Sequence, residues 1–389
     1  MESRHQSFNP DPRRILVRGT NWLGDAVMTT PALLRLREKF PAAHIAILTP
    51  EKLRELWLNH SAIDEIISFA AGENIFAVAK KLRAENFDSA LVLPNSPRSA
   101  IEVFLAKIPK RIGYARPWRN FFLAQTVAPR ADAVKMRKLS LLEIQRKIAT
   151  ETQGAQRKKS AELCGLCDSV AKLENLKHQI HEYLHLTAAL GTNPEPLAPQ
   201  LFVLPEEIEA ARKKFGLEKI AQPVFGLNPG AEYGPAKRWP VERFIAAAKE
   251  IQQRTNCAWI LFGGKGDLQL CGRIESETKN SKLKIQNLCG KTSLRELMAL
   301  MKICRVVLTN DTGPMHVAAA LGTPVVVPFG STSPELTGPG LPGDERNHLL
   351  KSDAPCSPCF LRECPIDFRC MNGIGVGQVV EAVVKSLNG

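Results

Sequence analysis

Aromatic residues make up only 6% of this 389-residue chain, too few to form an extended alternation with basic residues. A platform for stacking bases needs that alternation, so single-strand nucleic-acid binding is not expected. No stretch reaches the roughly 20 apolar residues of a membrane-spanning helix. Residues 1–14 are polar and basic with no apolar run behind them, so no secretory signal is expected. Acid is the scarcer charge, with 39 Asp and Glu against 52 Lys and Arg for a net +13. Such a balance suits anionic partners such as phosphorylated sugars, an anionic membrane surface or nucleic acid. Much of the excess lies between residues 98 and 159, where Arg98, Arg111, Arg116 and Arg119 fall. The chain does have size and apolar content: 389 residues that are 44% hydrophobic exceed one average domain and can build two cores. A cytosolic enzyme or binding protein is the default reading.

Short apolar runs alternate with helical patterns, which is the signature of parallel α/β units. Strands are predicted near 14–18, 44–49, 64–68, 89–93 and 110–114, then near 223–228, 258–262, 285–288, 305–309 and 324–328. Residues 150–185 break the rhythm as a polar insertion followed by a helix. The segment GTNPEPLAPQL after them reads as an extended linker, because its prolines disfavour regular structure. The predicted organisation is two doubly wound, Rossmann-like α/β domains, at 1–190 and 201–389, joined by a linker at 191–200.

The most informative stretch is 307–330, VLTNDTGPMHVAAALGTPVVVPFG, read as strand, polar turn, short helix and strand. Asp311 and Thr312 offer the oxygen chemistry of a helix N-cap, Gly313 lets backbone come close to a ligand, and Pro314 suits the first helical position. The N-H groups at such a helix start, with the positive end of the macrodipole, favour a phosphate. A capped core helix with no ligand is the competing reading. Residues 14–39 place a similar strand, glycine turn and helix at the other end of the chain, with Gly24 and Asp25 at the turn.

Together with LPNSPRSA at 93–100 and NPGAEYGPAKRWP at 228–240, these segments resemble the ADP-heptose:lipopolysaccharide heptosyltransferases, the type II enzymes most closely. The resemblance covers nearly the whole chain. It implies the glycosyltransferase-B arrangement, in which two domains face a cleft, the N-terminal one binding the acceptor and the C-terminal one ADP-heptose. It also implies an inverting, metal-independent transfer of heptose onto the first heptose of the Kdo-lipid A inner core, by an enzyme peripheral to the cytoplasmic face of the inner membrane. No cofactor and no nucleic-acid partner are expected. Other heptosyltransferases, of type I or III, and a nucleotide-sugar epimerase on the same fold remain the alternatives.

Sugar transfer needs a base for the acceptor hydroxyl and cations or N-H donors for the departing diphosphate. The family's proposed catalytic aspartate falls on Asp25, whose competing role is to cap the helix 26–39. A donor-phosphate lysine falls on Lys237, in a Gly- and Pro-rich loop where a flexible charge can reach a phosphate. Gly230 would let backbone approach the same phosphates; Arg238 is a second cation or a solvated one, and Trp239 a packing residue. His316 is a donor contact or a structural histidine. Asp267 resembles the position that accepts from the adenosine ribose, and Thr292, with Ser293, is expected beside the adenine. Arg98, Arg111, Arg116 and Arg119 are the expected acceptor-binding cations.

The chain has 10 cysteines, and four of them, Cys356, Cys359, Cys364 and Cys370, lie close together in a Pro-rich run. Cytosolic thiols stay reduced, so a structural zinc site competes with a simple loop. The second pair is not a CxxC, which weighs against zinc. A zinc site at Cys164 and Cys167 is weaker still.

Overall fold

The computed structural model describes residues 11–154, 177–279, 281 and 283–387. The segment 155–176, which holds Cys164, Cys167 and most of the expected polar insertion, lies outside the described residues. The chain forms two compact units. One comprises Met1–Asn21, Thr29–Ala131 and Glu182–Pro196, the other Trp22–Met28, Asp132–His181 and Leu197–Gly389.

The first unit is built on six parallel strands: β1 (Arg14–Arg18), β2 (His44–Pro50), β3 (Glu65–Phe69), β4 (Ser89–Val92), β5 (Lys110–Tyr114) and β6 (Gln125–Val127). Their order is β3-β2-β1-β4-β5-β6. Strands β1 and β4 are buried almost throughout, as a parallel sheet covered on both faces requires. The direction of strand addition reverses between β1 and β4, so the loops that follow these two strands flank the crevice where such sheets take ligands. Beside it, the helix Pro97–Leu105 carries fully buried Glu102. Its carboxylate pairs with Arg18 at 2.8 Å and Arg98 at 2.9 Å. A buried carboxylate demands such partners.

The second unit repeats the plan with β7 (Val224–Asn228), β8 (Ala258–Leu261), β9 (Ile285–Asn287), β10 (Val307–Thr309), β11 (Val325–Phe329) and β12 (Asn347–Lys351), all parallel. The order β12-β11-β10-β7-β8-β9 puts the reversal between β7 and β10. Phe225, Trp239, Phe244, Trp259, Val326 and Val380 are among the side chains of its core. Trp239 is 2% exposed and donates its indole N-H to the Ile374 carbonyl at 3.0 Å, the packing role expected of it.

Ten strands match the sequence reading. The two it missed, β6 and β12, are the terminal strands of the two sheets. Residues 192–204 carry neither helix nor strand. No helix among the described residues is long and apolar enough to cross a membrane.

Candidate active site

The loops that leave β7 and β10 meet at the reversal point of the second sheet. β7 runs into the turn that carries Lys237, and β10 runs into Asp311, Thr312 and the helix Gly313–Ala320. The Lys237 ammonium lies 2.7 Å from Asp311 Oδ2 and over the Tyr233 ring at 5.1 Å. Thr332 donates its hydroxyl to the same Asp311 oxygen. Asp311 therefore does not cap the helix. Thr312 is the N-cap residue, and its side chain makes no capping hydrogen bond. The sequence reading of Asp311 as a cap is corrected here: its carboxylate, 3% exposed, is the anchor that orients Lys237.

The short helix Leu23–Met28 packs within the same unit, against the helix Gly313–Ala320. Two glycines permit the approach. A Cβ on Gly24 would stand 2.8 Å from the His316 ring, and one on Gly313 would stand 2.8 Å from the Leu23 Cβ. Gly313 thus permits the helix packing, a role the sequence did not suggest, and it also lines the pocket. Asp25 sits inside the first turn of the helix Leu23–Met28, and a second helix, Thr30–Lys39, follows separately. The capping role for Asp25 at a helix 26–39 is thereby removed. Its Oδ1 accepts from the Gln179 side-chain amide at 2.9 Å.

Asp25, Lys237, Asp311, Thr312, Gly313 and His316 all line one pocket of about 380 Å³. Six residues singled out from three separated stretches of sequence converge there. Thr312 and Gly313 bring the N-terminal end of their helix to the pocket wall, where its dipole favours an anion. His316 is buried, and burial lowers its pKa to about 4, while Asp311 opposes the shift. Its Nδ1 has no hydrogen-bond partner among the described residues. At neutral pH it serves as a neutral imidazole rather than a cation. The sequence reading missed Gln179, Tyr233 and Thr332, which also line the pocket. Tyr233 lay inside the quoted 228–240 motif, but Gln179 adjoins a polar stretch that carries no pattern.

Other expected donor contacts lie elsewhere on the second unit. Asp267 accepts from the Gly264 N-H at 3.0 Å and lies 3.6 Å from Arg238, closing its own turn. Its carboxylate occupies the place a Gly230 side chain would need. Ser293 is an N-cap in a reciprocal box with Glu296, and Thr292 precedes it, half-buried. None of Gly230, Asp267 and Thr292 is among the residues that line the Lys237 pocket.

In the first unit the four arginines differ. Arg98 is paired with Glu102. Arg111 donates to the Phe122, Ile108 and Pro109 carbonyls and lies over the Phe104 ring. Arg116 lies over Tyr114. Arg119 is fully buried; its Nη1 donates to Asn95 Oδ1 at 3.1 Å, while Nε and Nη2 have no partner among the described residues. Burial, with Arg116 nearby, lowers its pKa to about 10, so it remains a cation at neutral pH.

The C-terminal cysteines are packed as small apolar side chains. Cys356 and Cys359 share an apolar cluster with Ile144, and Cys370 belongs to the main core of the unit. Burial pushes the Cys370 thiol up to about 12 and raises those of Cys356 and Cys359. Among the described residues, no three His, Cys, Asp or Glu side chains gather as metal ligands.

Residues 75–164 and 143–368 match glycosyltransferase family 9 (heptosyltransferase). The chain belongs to this family. It is a glycosyltransferase of the heptosyltransferase group, as its motifs suggested. It is 29% identical over 334 residues to lipopolysaccharide heptosyltransferase 2 of Salmonella typhimurium strain LT2, covering 84% of this chain and 85% of that one. Lipooligosaccharide heptosyltransferase 2 of Haemophilus ducreyi is 30% identical over 339 residues, covering 84% and 86%. The solved structure of the E. coli ADP-heptose lipopolysaccharide heptosyltransferase II superposes on this glycosyltransferase with a TM-score of 0.74 at 26% identity, covering 96% of this chain and 98% of that one. The α/β fold with two parallel six-stranded sheets is the one its motifs implied.

Proposed function

We propose that this glycosyltransferase transfers L-glycero-D-manno-heptose from ADP-heptose to the first heptose of the Kdo-lipid A inner core. The observation that carries the reading is the convergence of a carboxylate, Asp25, with the Lys237–Asp311 pair and a helix N-terminus in one pocket. In an inverting step the acceptor oxygen bonds to the anomeric carbon as the bond from that carbon to the β-phosphate oxygen breaks. Asp25 takes the acceptor proton, and the electron pair leaves with ADP. Lys237 and the helix start at Thr312 and Gly313 stabilise the charge that develops on the diphosphate. No step needs a metal. In this reading Gly230, Asp267 and Thr292 serve the nucleoside end of the donor. Incubation with ADP-heptose and a truncated lipopolysaccharide bearing one heptose tests the proposal. ADP plus a lipid one heptose heavier is expected; ADP-heptose turnover without a heavier lipid would point to an epimerase or hydrolase instead.

On the acceptor side, Arg119 is the arginine best suited to an anionic sugar or phosphate, because two of its nitrogens have no partner among the described residues. Arg98, Arg111 and Arg116 supply charge around it. Arg119→Gln is expected to raise the acceptor KM about 10-fold or more, the scale of one charge-assisted hydrogen bond, with ADP affinity unchanged. Weaker ADP binding with a normal acceptor KM would assign Arg119 to the donor.

A lipid-borne acceptor also calls for contact with the membrane surface. Between Glu102 and Asp132 the chain has no acidic residue, while Lys107, Lys110, Arg111, Arg116, Arg119 and Arg130 are all basic. Within this run Trp118 is 89% exposed and Phe121 80% exposed. Cations draw a surface toward anionic headgroups, and aromatic side chains seat at the interface. Co-sedimentation with phosphatidylglycerol vesicles should weaken several-fold in a Trp118→Ser, Phe121→Ser double variant, with an unchanged melting temperature. Equal sedimentation of both proteins would remove this loop from the reading.

A further inference from the structure

The dipeptide His178–Gln179 has no counterpart in the motifs that marked the rest of the pocket, yet it touches both a loop and the candidate base. His178 is 1% exposed, and its Nε2 lies 3.0 Å from the Gly338 carbonyl. Its Nδ1 accepts from the Ile180 N-H at 3.3 Å. An acceptor role at Nδ1 requires the proton on Nε2, so His178 donates to Gly338 as a neutral ring. The Gln179 backbone N-H donates to the Leu336 carbonyl at 2.9 Å. Both residues are thus pinned to the segment 336–338, directly ahead of the helix Ile180–Ala188. From that strap the Gln179 side chain reaches Asp25 Oδ1 at 2.9 Å. A carboxylate only accepts, so the carboxamide must present its N-H and not its oxygen.

We infer that Gln179 is a positioning residue for Asp25, holding one carboxylate oxygen so that the carboxyl plane stays fixed for proton transfer from the acceptor hydroxyl. This rests on Asp25 being the base. The chemistry favours an amide here. A neutral donor fixes the carboxylate without offering it a competing charge, whereas a lysine would form an ion pair that lowers its basicity. The strap fixes the backbone from which the donor is presented, through the Gln179 N-H bond to Leu336 and the neighbouring His178 bond to Gly338. Precise orientation of a base is worth orders of magnitude in rate.

The experiment compares Gln179→Ala and Gln179→Glu by kcat, both KM values, the pH profile of kcat and thermal melting. Gln179→Ala is expected to lower kcat about 10- to 100-fold with both KM values retained. Loss of a donor to the ionised carboxylate raises its pKa, so the acid limb of the profile moves to higher pH. Gln179→Glu preserves the shape and places two carboxylates at hydrogen-bond distance, which share a proton. Its acid limb should rise by about one pH unit or more, with activity partly regained on the alkaline side. The other titratable groups of the pocket, Lys138, Glu232, Tyr233, Lys237, Asp311 and His316, are the same in all three proteins, so a shift confined to the variants belongs to the Gln179–Asp25 pair. A purely structural role would lower the melting temperature and leave the limb in place, and that result overturns the inference, as does an unchanged kcat in both variants. If Asp25→Asn itself retains near-normal turnover, the base assignment fails first. If Asp25→Asn is inactive while the Gln179 variants behave as wild type, only the positioning role fails.

Discussion

Asp25→Asn is expected to reduce heptosyl transfer by roughly 100- to 10,000-fold, the range that a general base contributes, with ADP affinity preserved. The substitution is nearly isosteric. Asparagine retains an oxygen that can accept from the Gln179 amide, and the helix Leu23–Met28 keeps its Gly24 contact with His316, so the pocket wall stays in place. Only basicity is removed. Steady-state transfer to a one-heptose acceptor, set beside calorimetric ADP binding, makes the comparison. Turnover close to wild type would reduce Asp25 to an ordering contact within the pocket. A parallel loss of ADP binding would mean that the residue shapes the donor site.

The sequence disclosed most of this site because the chemistry lies in local motifs at strand ends. Each doubly wound sheet places the loops after its central strands at one crevice, so a motif read as strand, turn and helix is already located in three dimensions. This is why Asp25, Lys237 and the turn from Asp311 to His316 could be chosen without coordinates and then meet in one pocket. What stayed hidden depends on contacts between distant residues. Asp311 looked like a cap because it precedes a helix, but its partner Lys237 comes from another loop. Gly313 also packs against Leu23, nearly three hundred positions away, which no local pattern announces. Gln179 gave no signal, since a single glutamine beside a polar stretch has no periodicity or spacing to mark it. The missed strands have a simpler cause. β6 is three residues long and largely exposed, and β12 is half-buried, because each lies at the end of its sheet and needs no continuous apolar run. Composition also could not reveal the partners of the basic residues: Arg98 pairs with Glu102, and Arg111 donates to backbone carbonyls.

Lys237→Ala should weaken ADP binding by about 10- to 100-fold, as expected for a charge-assisted contact to phosphate, and transfer should fall by at least as much. The interpretation must allow for Asp311, because the ammonium that Lys237 brings to it at 2.7 Å neutralises a carboxylate that is 3% exposed. Removing one partner of a buried pair leaves an uncompensated charge and costs about 3 kcal/mol or more, so the single variant should melt at a lower temperature whether or not Lys237 binds phosphate. A double-mutant cycle separates the two effects. Lys237→Ala combined with Asp311→Asn removes the unpaired charge and keeps a group that can accept from the Thr332 hydroxyl. Stability should largely return. Donor affinity should not, because neither substitution restores a cation at the diphosphate. If ADP affinity recovers together with stability in the double variant, Lys237 is a structural counter-ion for Asp311 and the helix N-terminus at Thr312 and Gly313 carries the phosphate alone.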